Sequence, residues 1–448
     1  MSRLEECMST SSEPNTPRRG PSRLAIGLLL FIFANGLVIN FVLPRLPLQP
    51  QITTTLSYTD SFFKQGAHSD SWKAMRTALF FTDEPHTKPI YTALYFENNV
   101  RFQYPPSSLL VLKTLRGMLG ESGISNETLN GISWLCVWAV AAVLGRVFFL
   151  ARRRFGIAAG ESRSDEFLFA ILAFAITLTF YPVVRGYYLG QIQVWIDLLI
   201  ALVVWSWLEN RRTTAGVFIS IICVIKPTLA LVVVWGAFRR QWDFIKGFAI
   251  PMSGFAVVSL AAFGWENHTN YLSVLSYISQ QGEIFHPNQS MNGLLHRLMG
   301  NGNSIEWERN VLMAYNPWVH GGTVVSTVAL MFAGLFAPRS IGRSTGPIEL
   351  AIIIVCATLA SPTVWTHHYG VMLPLFAVAL PCVLSLEEGP RKRCLFALAT
   401  CFVLIGTNFR VLNRLSETGF NFLQSYVYFA GLGFLALLLW LRTRSASE

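Results

Sequence analysis

Residues 211–240 read RRTTAGVFISIICVIKPTLALVVVWGAFRR. An apolar run of about 25 residues stands between two arginine pairs, at the 1.5 Å helical rise enough for a single bilayer crossing. One continuous helix would put the pairs on opposite sides, whereas basic residues collect on the cytoplasmic side of membrane helices. Two short helices, Thr214–Ile225 and Thr228–Phe238, meeting at Lys226-Pro227 keep both pairs on one side. Each is roughly 18 Å long at that rise, shorter than the bilayer core, so their tip is buried in protein or lines a polar cavity. An ionisable residue at such a depth is a functional-site candidate, and Lys226 is that residue.

Working outward, the rest of the chain fits the same setting. Of 448 residues, 52% are hydrophobic and only 13% charged, about half the usual charged share of a soluble domain. The remaining apolar surface faces lipid, and the 13 Trp and 33 Phe suit the two membrane interfaces. A net charge of +10 sits in short clusters between apolar runs, where it orients helices, so nucleic acid is not an expected partner. Six of the seven cysteines lie in or beside apolar runs and none forms a CxxC pair. They read as small buried residues rather than as ligands or disulfides.

By the length rule the chain reads as an all-α polytopic membrane protein with about twelve spans. Residues 1–23 form a polar cytoplasmic tail, 24–441 a single transmembrane domain and 442–448 a second tail. The first span, Leu24–Leu43, reads as a retained anchor. The others are Ile132–Leu150, Phe167–Val184, Gln191–Leu208, the two short helices, Ile245–Phe263, Trp318–Phe336, Ile348–Leu359, Tyr369–Leu386, Cys394–Thr407 and Phe420–Leu441. Along this path the clusters at Arg152–Arg154, Arg211-Arg212, Arg239-Arg240, Arg339 with Arg343, Arg391–Arg393 and Arg442 with Arg444 all fall inside. Both termini are then cytoplasmic. The polar segments 44–130 and 264–317, with the turns Arg185–Gly190 and Ala360–His368, gather outside, and Asp70–Phe80 and Ser107–Leu119 read as membrane-parallel helices.

The external side supplies the candidate chemistry. Asp70 opens the amphipathic stretch Asp70-Ser71-Trp72-Lys73, where an acid ordinarily caps a helix or meets its dipole. Phe102-Gln103-Tyr104-Pro105-Pro106 gives a rigid helix entry. Arg185 stands in a short turn ending at Gly190-Gln191. Asn288-Gln289-Ser290 precedes a short helix containing Arg297, and Ser361-Pro362-Thr363-Val364-Trp365-Thr366-His367-His368 joins two spans. No Cys or carboxylate cluster beside the histidines completes a metal set. Together these residues read as one acid–base group beside an anion-binding pocket.

The order of these motifs resembles glycosyltransferase family 87, the polyprenyl-phosphate-dependent membrane transferases of the GT-C fold class that include bacterial mannosyltransferases. The likeness rests on Asp70, Phe102–Pro106, Gly190-Gln191, Lys226-Pro227, Asn288-Gln289-Ser290 and Ser361-Pro362…Trp365…His367-His368, and covers nearly the whole chain. It implies a GT-C-like bundle in the cell membrane that moves a hexose from a polyprenyl-phosphate donor to a hydroxyl of a glycan or glycolipid. Transfer would be extracytoplasmic and inverting, with no cofactor. Asp70 would be the base, with Asp60 the second candidate. Lys226, Arg185, His367 and His368 would bind the donor phosphate, and Tyr104, Gln191, Asn288, Gln289 and Trp365 the substrates. A helix N-terminus after Pro106 could add backbone donors. One departure is local: Thr82-Asp83-Glu84-Pro85 replaces the glycine-type turn usual after the acid.

Two other classes fit about twelve spans with both ends inside. A secondary transporter would use broken helices like those at Lys226, but would show related halves, and no repeat is evident here. A non-catalytic export component would leave Asp70 as a helix cap only.

Overall fold

The computed structural model describes residues 23–38, 42, 55–85, 87–157, 163–307, 313–337 and 346–444. Most of the N-terminal tail with Cys7, the end of the expected first span, residues 44–54 of the first loop, Arg339, Arg343 and residues 445–448 lie outside them.

Helices build the molecule, and the described residues contain no strand. In chain order they are α1 (Arg23–Leu37), α2 (Thr55–Phe63), α3 (Asp70–Phe81), α4 (Leu109–Leu119), α5 (Asn126–Arg154), α6 (Arg163–Thr179), α7 (Tyr181–Leu189), α8 (Gln193–Leu208), α9 (Arg212–Ile225), α10 (Leu231–Phe238), α11 (Trp242–Gln281), α12 (Met291–Leu298), α13 (Pro317–Phe336), α14 (Gly346–Leu359), α15 (Leu373–Leu384), α16 (Glu388–Gly406) and α17 (Tyr426–Arg444). Two amphipathic helices foreseen in the first loop form. In α3, Trp72, Met75, Ala78 and Leu79 bury one face, the spacing of an amphipathic helix. Tandem Pro105-Pro106 opens a 3-10 turn that runs into α4.

Among the described residues five helices are long and apolar enough to cross a bilayer core, or six if α6 and α7, bent by 56° at Phe180, count as one span. The twelve crossings expected from run length are thus not met by length alone. Four further apolar helices, among them α8, α9 and α14, are shorter than 18 residues. The chain reaches this state by breaking its apolar runs. At Lys226 the backbone leaves the helical region (φ −135°, ψ 84°) and Pro227 starts a new turn, because proline supplies no N–H to continue α9.

Two other expectations need correction. Arg185 lies in helix α7 rather than in a turn, since Pro182 presets its first turn. The His367-His368 pair lies in a 3-10 helix, Thr366–Met372, rather than in a turn. At Gly264, where the expected span Ile245–Phe263 ends, the backbone leaves the helical region (φ +74°, ψ 157°), and a second helical stretch of α11 runs on to Gln281.

Helix α9 owes its placement to two glycines. A Cβ on Gly216 would lie 2.2 Å from the Phe244 carbonyl oxygen, and one on Gly247 2.1 Å from that of Thr213. The backbones of α9 and α11 therefore touch, the contact that small residues permit between membrane helices. Helix α15 is enclosed by its neighbours, whereas α11 and α13 leave large apolar side chains such as Ile250, Val257, Val325 and Phe332 exposed, as lipid-facing helices do.

Candidate active site

The loop before α3 is held from two sides. Asn130 on α5 donates to the His68 carbonyl at 3.0 Å and accepts from the Trp72 indole at 2.8 Å. On the other side, His68 N–H donates to the Tyr188 carbonyl at 2.8 Å and Ser71 N–H to that of Gly190 at 3.2 Å. Gly190 makes this approach possible. Its φ is +69°, and a Cβ there would lie 2.1 Å from the His68 carbonyl oxygen, so only glycine combines the left-handed helix end with the close contact.

Ser69 holds the N-cap position of α3 without a side-chain hydrogen bond, and Asp70, the first helical residue, reaches across to the turn before α8. Gln191 Nε2 donates to Asp70 Oδ2 at 2.5 Å, and Gln191 Oε1 accepts from Ser71 Oγ at 2.7 Å. Ser71 has one proton. With that proton on Gln191, its oxygen accepts from the Tyr104 hydroxyl at 2.8 Å and from Ile192 N–H at 3.2 Å. The amide of Gln191 is thereby oriented with its NH₂ toward the carboxylate. Gln191 and Ser71 are buried and Asp70 is exposed. Burial pushes the Tyr104 hydroxyl well above its usual pKa, so it stays a neutral donor. Asp60 lies on the outer face of α2, where its carboxylate pairs with Lys64 at 2.7 Å and both are largely exposed.

Lys226 is tied to the same turn. Its Nζ donates to Gln193 Oε1 at 3.2 Å, two residues from the glutamine that holds Asp70. A second tie runs through the first loop. Tyr104 contacts Ser71, and three residues later Ser107 Oγ donates to the Val224 carbonyl at 2.7 Å, two residues before Lys226. The carboxylate and the ammonium are thus joined to each other's surroundings by two independent bridges.

Arg185 donates to the hydroxyls of Tyr181 at 2.5 Å and Tyr58 at 3.4 Å. Helix α7 packs on the 3-10 helix of the histidine pair, where a Cβ on Gly186 would lie 3.6 Å from His367 Cβ. The charges of Arg185 and Lys226 both act on His367, and that of Lys226 also on His368. The two imidazoles meet edge to face at 4.7 Å.

Asn288, Gln289 and Ser290 are buried in a framework around this turn. Gln289 N–H donates to the Val364 carbonyl at 2.6 Å, its Nε2 to the carbonyls of His286 and Gln424, both at 2.7 Å, and its Oε1 accepts from Val427 and Tyr428 N–H. Asn288 Oδ1 accepts from Val364 N–H at 3.1 Å, and Asn288 forms an isolated bridge with Trp365. Beneath them Arg297, fully buried, donates to the carbonyls of Ile284 and Asn288 and to Ser425 Oγ. Trp365 is half-buried, edge-on to Phe285. Asn288 and Gln289 thus hold the 361–368 segment, Asp70, Gln191 and Tyr104 form one hydrogen-bonded group with Ser71, Lys226 is tied to Gln193 beside it, and Arg185 lies on the helix that packs against the histidine pair.

Sequence reading missed Ser71, Gln193 and Asp197. Gln193 and Asp197, four residues apart inside an otherwise apolar run, were a legible signal.

Fold and site define a multi-pass helical membrane protein in which an exposed carboxylate, Asp70, and a lysine at a helix break, Lys226, hydrogen-bond to Gln191 and Gln193, two residues apart. The chain belongs to glycosyltransferase family 87, whose profile matches residues 102–364, more than half of it. It is also similar to the polyprenol-phosphate-mannose-dependent alpha-(1-2)-phosphatidylinositol pentamannoside mannosyltransferase of Mycobacterium tuberculosis (strain CDC 1551 / Oshkosh), at 25% identity over 312 residues. That alignment covers 68% of this chain and 64% of the relative, so it spans less than two thirds of the relative's length. No solved structure matches the chain.

Proposed function

We propose that the protein transfers a hexose, with mannose the first sugar to test, from a polyprenyl-phosphate donor to a hydroxyl of a glycan or glycolipid. Family membership and the donor named for the mycobacterial relative support this reading. In it the apolar segments, short ones included, make about twelve crossings, both termini are cytoplasmic, and the end carrying α2, α3 and α4 is extracytoplasmic.

Asp70 is the base. An alcohol is a weak nucleophile until its proton is taken, and the exposed Asp70 carboxylate can meet an acceptor arriving from outside. The acceptor O–H bond breaks toward Asp70, and the oxygen forms a bond to the anomeric carbon. The bond from that carbon to the phosphate oxygen breaks with its electron pair on phosphate, and the configuration inverts. The leaving phosphate needs cations more than a proton, and Lys226, Arg185, His367 and His368 are the groups assigned to it. Gln191 and Tyr104 orient the base directly and through Ser71. Asn288 and Gln289 act by holding the histidine turn, and Trp365 lies on its rim.

The observation that carries the reading is that Asp70 and Lys226 hydrogen-bond to Gln191 and Gln193, two residues apart. The test is Asp70→Asn, assayed for sugar transfer from polyprenyl-phosphate mannose in membranes. It removes the base and keeps the shape, and a loss of about 10² to 10⁴ in rate is expected for a missing general base. Full activity in Asp70→Asn, with Asp60→Asn inactive, would move the role to Asp60.

A further inference from the structure

One amide away from Lys226 stands a carboxylate that the mechanism above does not use. Asp197 lies one turn into α8 and is 1% exposed. Its Oδ1 accepts from Gln193 Nε2 at 2.9 Å, and the same amide accepts from Lys226 Nζ through Oε1 at 3.2 Å. Gln193, 3% exposed, therefore relays between the two charges, receiving from the ammonium and donating to the carboxylate. The other oxygen, Oδ2, is buried and has no hydrogen-bond partner among the described residues. Leaving a buried carboxylate oxygen unmatched is costly.

Gly370 leaves room for this carboxylate. A Cβ on residue 370 would lie 2.2 Å from Asp197 Oδ2 and 2.8 Å from Oδ1. The carboxylate thus occupies the space of the missing side chain, two residues after His368 in the 3-10 helix of the histidine pair. It touches the backbone of the segment that holds two candidate phosphate ligands and is linked through one amide to the third. The ionisable groups that interact with Asp197 are Lys226 from the break after α9 and Cys136 from α5, and Lys226 in turn acts on His367 and His368 of the 3-10 helix.

We propose that Asp197 is a positioning residue for donor binding: through Gln193 it holds the Lys226 ammonium charged and aimed at the donor phosphate, and against Gly370 it fixes the spacing between that ammonium and the histidine turn. The inference rests on the reading of Lys226 as a phosphate ligand. An isolated ammonium is expensive to bury, and the carboxylate offsets this. Nζ has three N–H donors, and Gln193 takes one of them, which leaves the others for the phosphate.

The full-length protein in lipid nanodiscs, assayed with polyprenyl-phosphate mannose, tests this. Asp197→Asn keeps the volume and removes the charge. Its donor KM should rise roughly tenfold or more, as when a charge-assisted hydrogen bond is lost, with kcat changing far less. Gln193→Met cuts the relay while both charges remain, and should give the same split if Asp197→Asn does not accumulate. Gly370→Ala pushes a methyl into the carboxylate and should do likewise. In a Lys226→Met background, Asp197→Asn should add nothing, because the two act as one unit. A donor KM that is unchanged or lower in both Asp197→Asn and Gln193→Met overturns the proposal, as does full additivity with Lys226→Met. Wild-type protein that transfers no sugar, or full activity in both Asp70→Asn and Asp60→Asn, overturns the functional reading instead, so the two failures are distinct.

Discussion

Single residues in this protein are held by oriented amides. Gln191 and Gln193 each have one face toward a donor and the other toward a carboxylate. A glutamine can do this because its amide carries an acceptor and two donors on one planar group. The buried imidazole of His296 on α12 follows the same logic. Its Nε2 donates to the Gln281 carbonyl at 2.9 Å and its Nδ1 accepts from Asn301 Nδ2 at 2.9 Å, which requires the neutral ring. Burial, with the nearby Arg297 charge, lowers its pKa to about 4. Because the folded value lies below the unfolded one of about 6.5, the neutral histidine favours the fold at higher pH. That contribution is complete above about 6.5 and is lost as the pH falls toward 4, by up to roughly 1.4 kcal/mol per unit. Thermal unfolding in detergent should show the melting temperature falling across this window, with the fall shallower in His296→Gln. Equal slopes would assign the acid sensitivity elsewhere.

At the scale of elements, broken and touching helices place the site. The α9–α11 crossing fixes the height of the Lys226 break, and Ser107 ties the first loop to that break through the Val224 carbonyl. The crossing has no room for side chains at Gly216 and Gly247. Gly247→Leu should therefore separate α9 from α11 and destabilise the protein by about 1–3 kcal/mol, as overpacking does. The melting temperature should drop, and donor KM should rise in the protein that remains folded. Unchanged melting would mean that the two helices are not pinned there. The break at Lys226-Pro227 was legible in the sequence because the arginine pairs left no other path. The helical state of Arg185 was not, since a proline after an apolar run reads equally as a turn and as a first helical residue. The end of the span at Phe263 was legible, because Trp265, Glu266 and Asn267 break the apolar run where Gly264 breaks the helix.

For the whole molecule, the arginine-bearing end is closed by a buried ion cluster. Glu349 at the start of α14 lies 3.3 Å from both Arg239, after α10, and Arg442, in α17, with all three side chains largely buried. Removing the shared anion leaves two buried guanidinium groups facing each other, a change that costs about 3–5 kcal/mol when one partner of a buried pair is lost. Glu349→Gln should lower the folded yield sharply. Glu349→Gln with Arg442→Met, which removes a charge of each sign, should recover part of it, measured as monodisperse protein after detergent extraction. No recovery would mean that the cluster is not an electrostatic unit.

What the sequence determined by itself is the solvent of this protein and the order of its parts. Apolar run length and the spacing of basic clusters make it a helical membrane protein, because the bilayer leaves backbone polar groups few other solutions, and the order of short motifs carried its likeness to family 87. Only the tertiary structure decided which polar residues meet. Asp70 finds Gln191 across 121 positions of chain and Ser107 finds Val224 across 117. Asp197 reaches Gly370 from another helix, and Asn288 and Gln289 turn inward to hold a loop. Hydropathy reports how deep a residue lies along the membrane normal. It is silent on which way a helix is rotated and on which neighbour it faces, and those two facts, set by side-chain packing between distant segments, make the site.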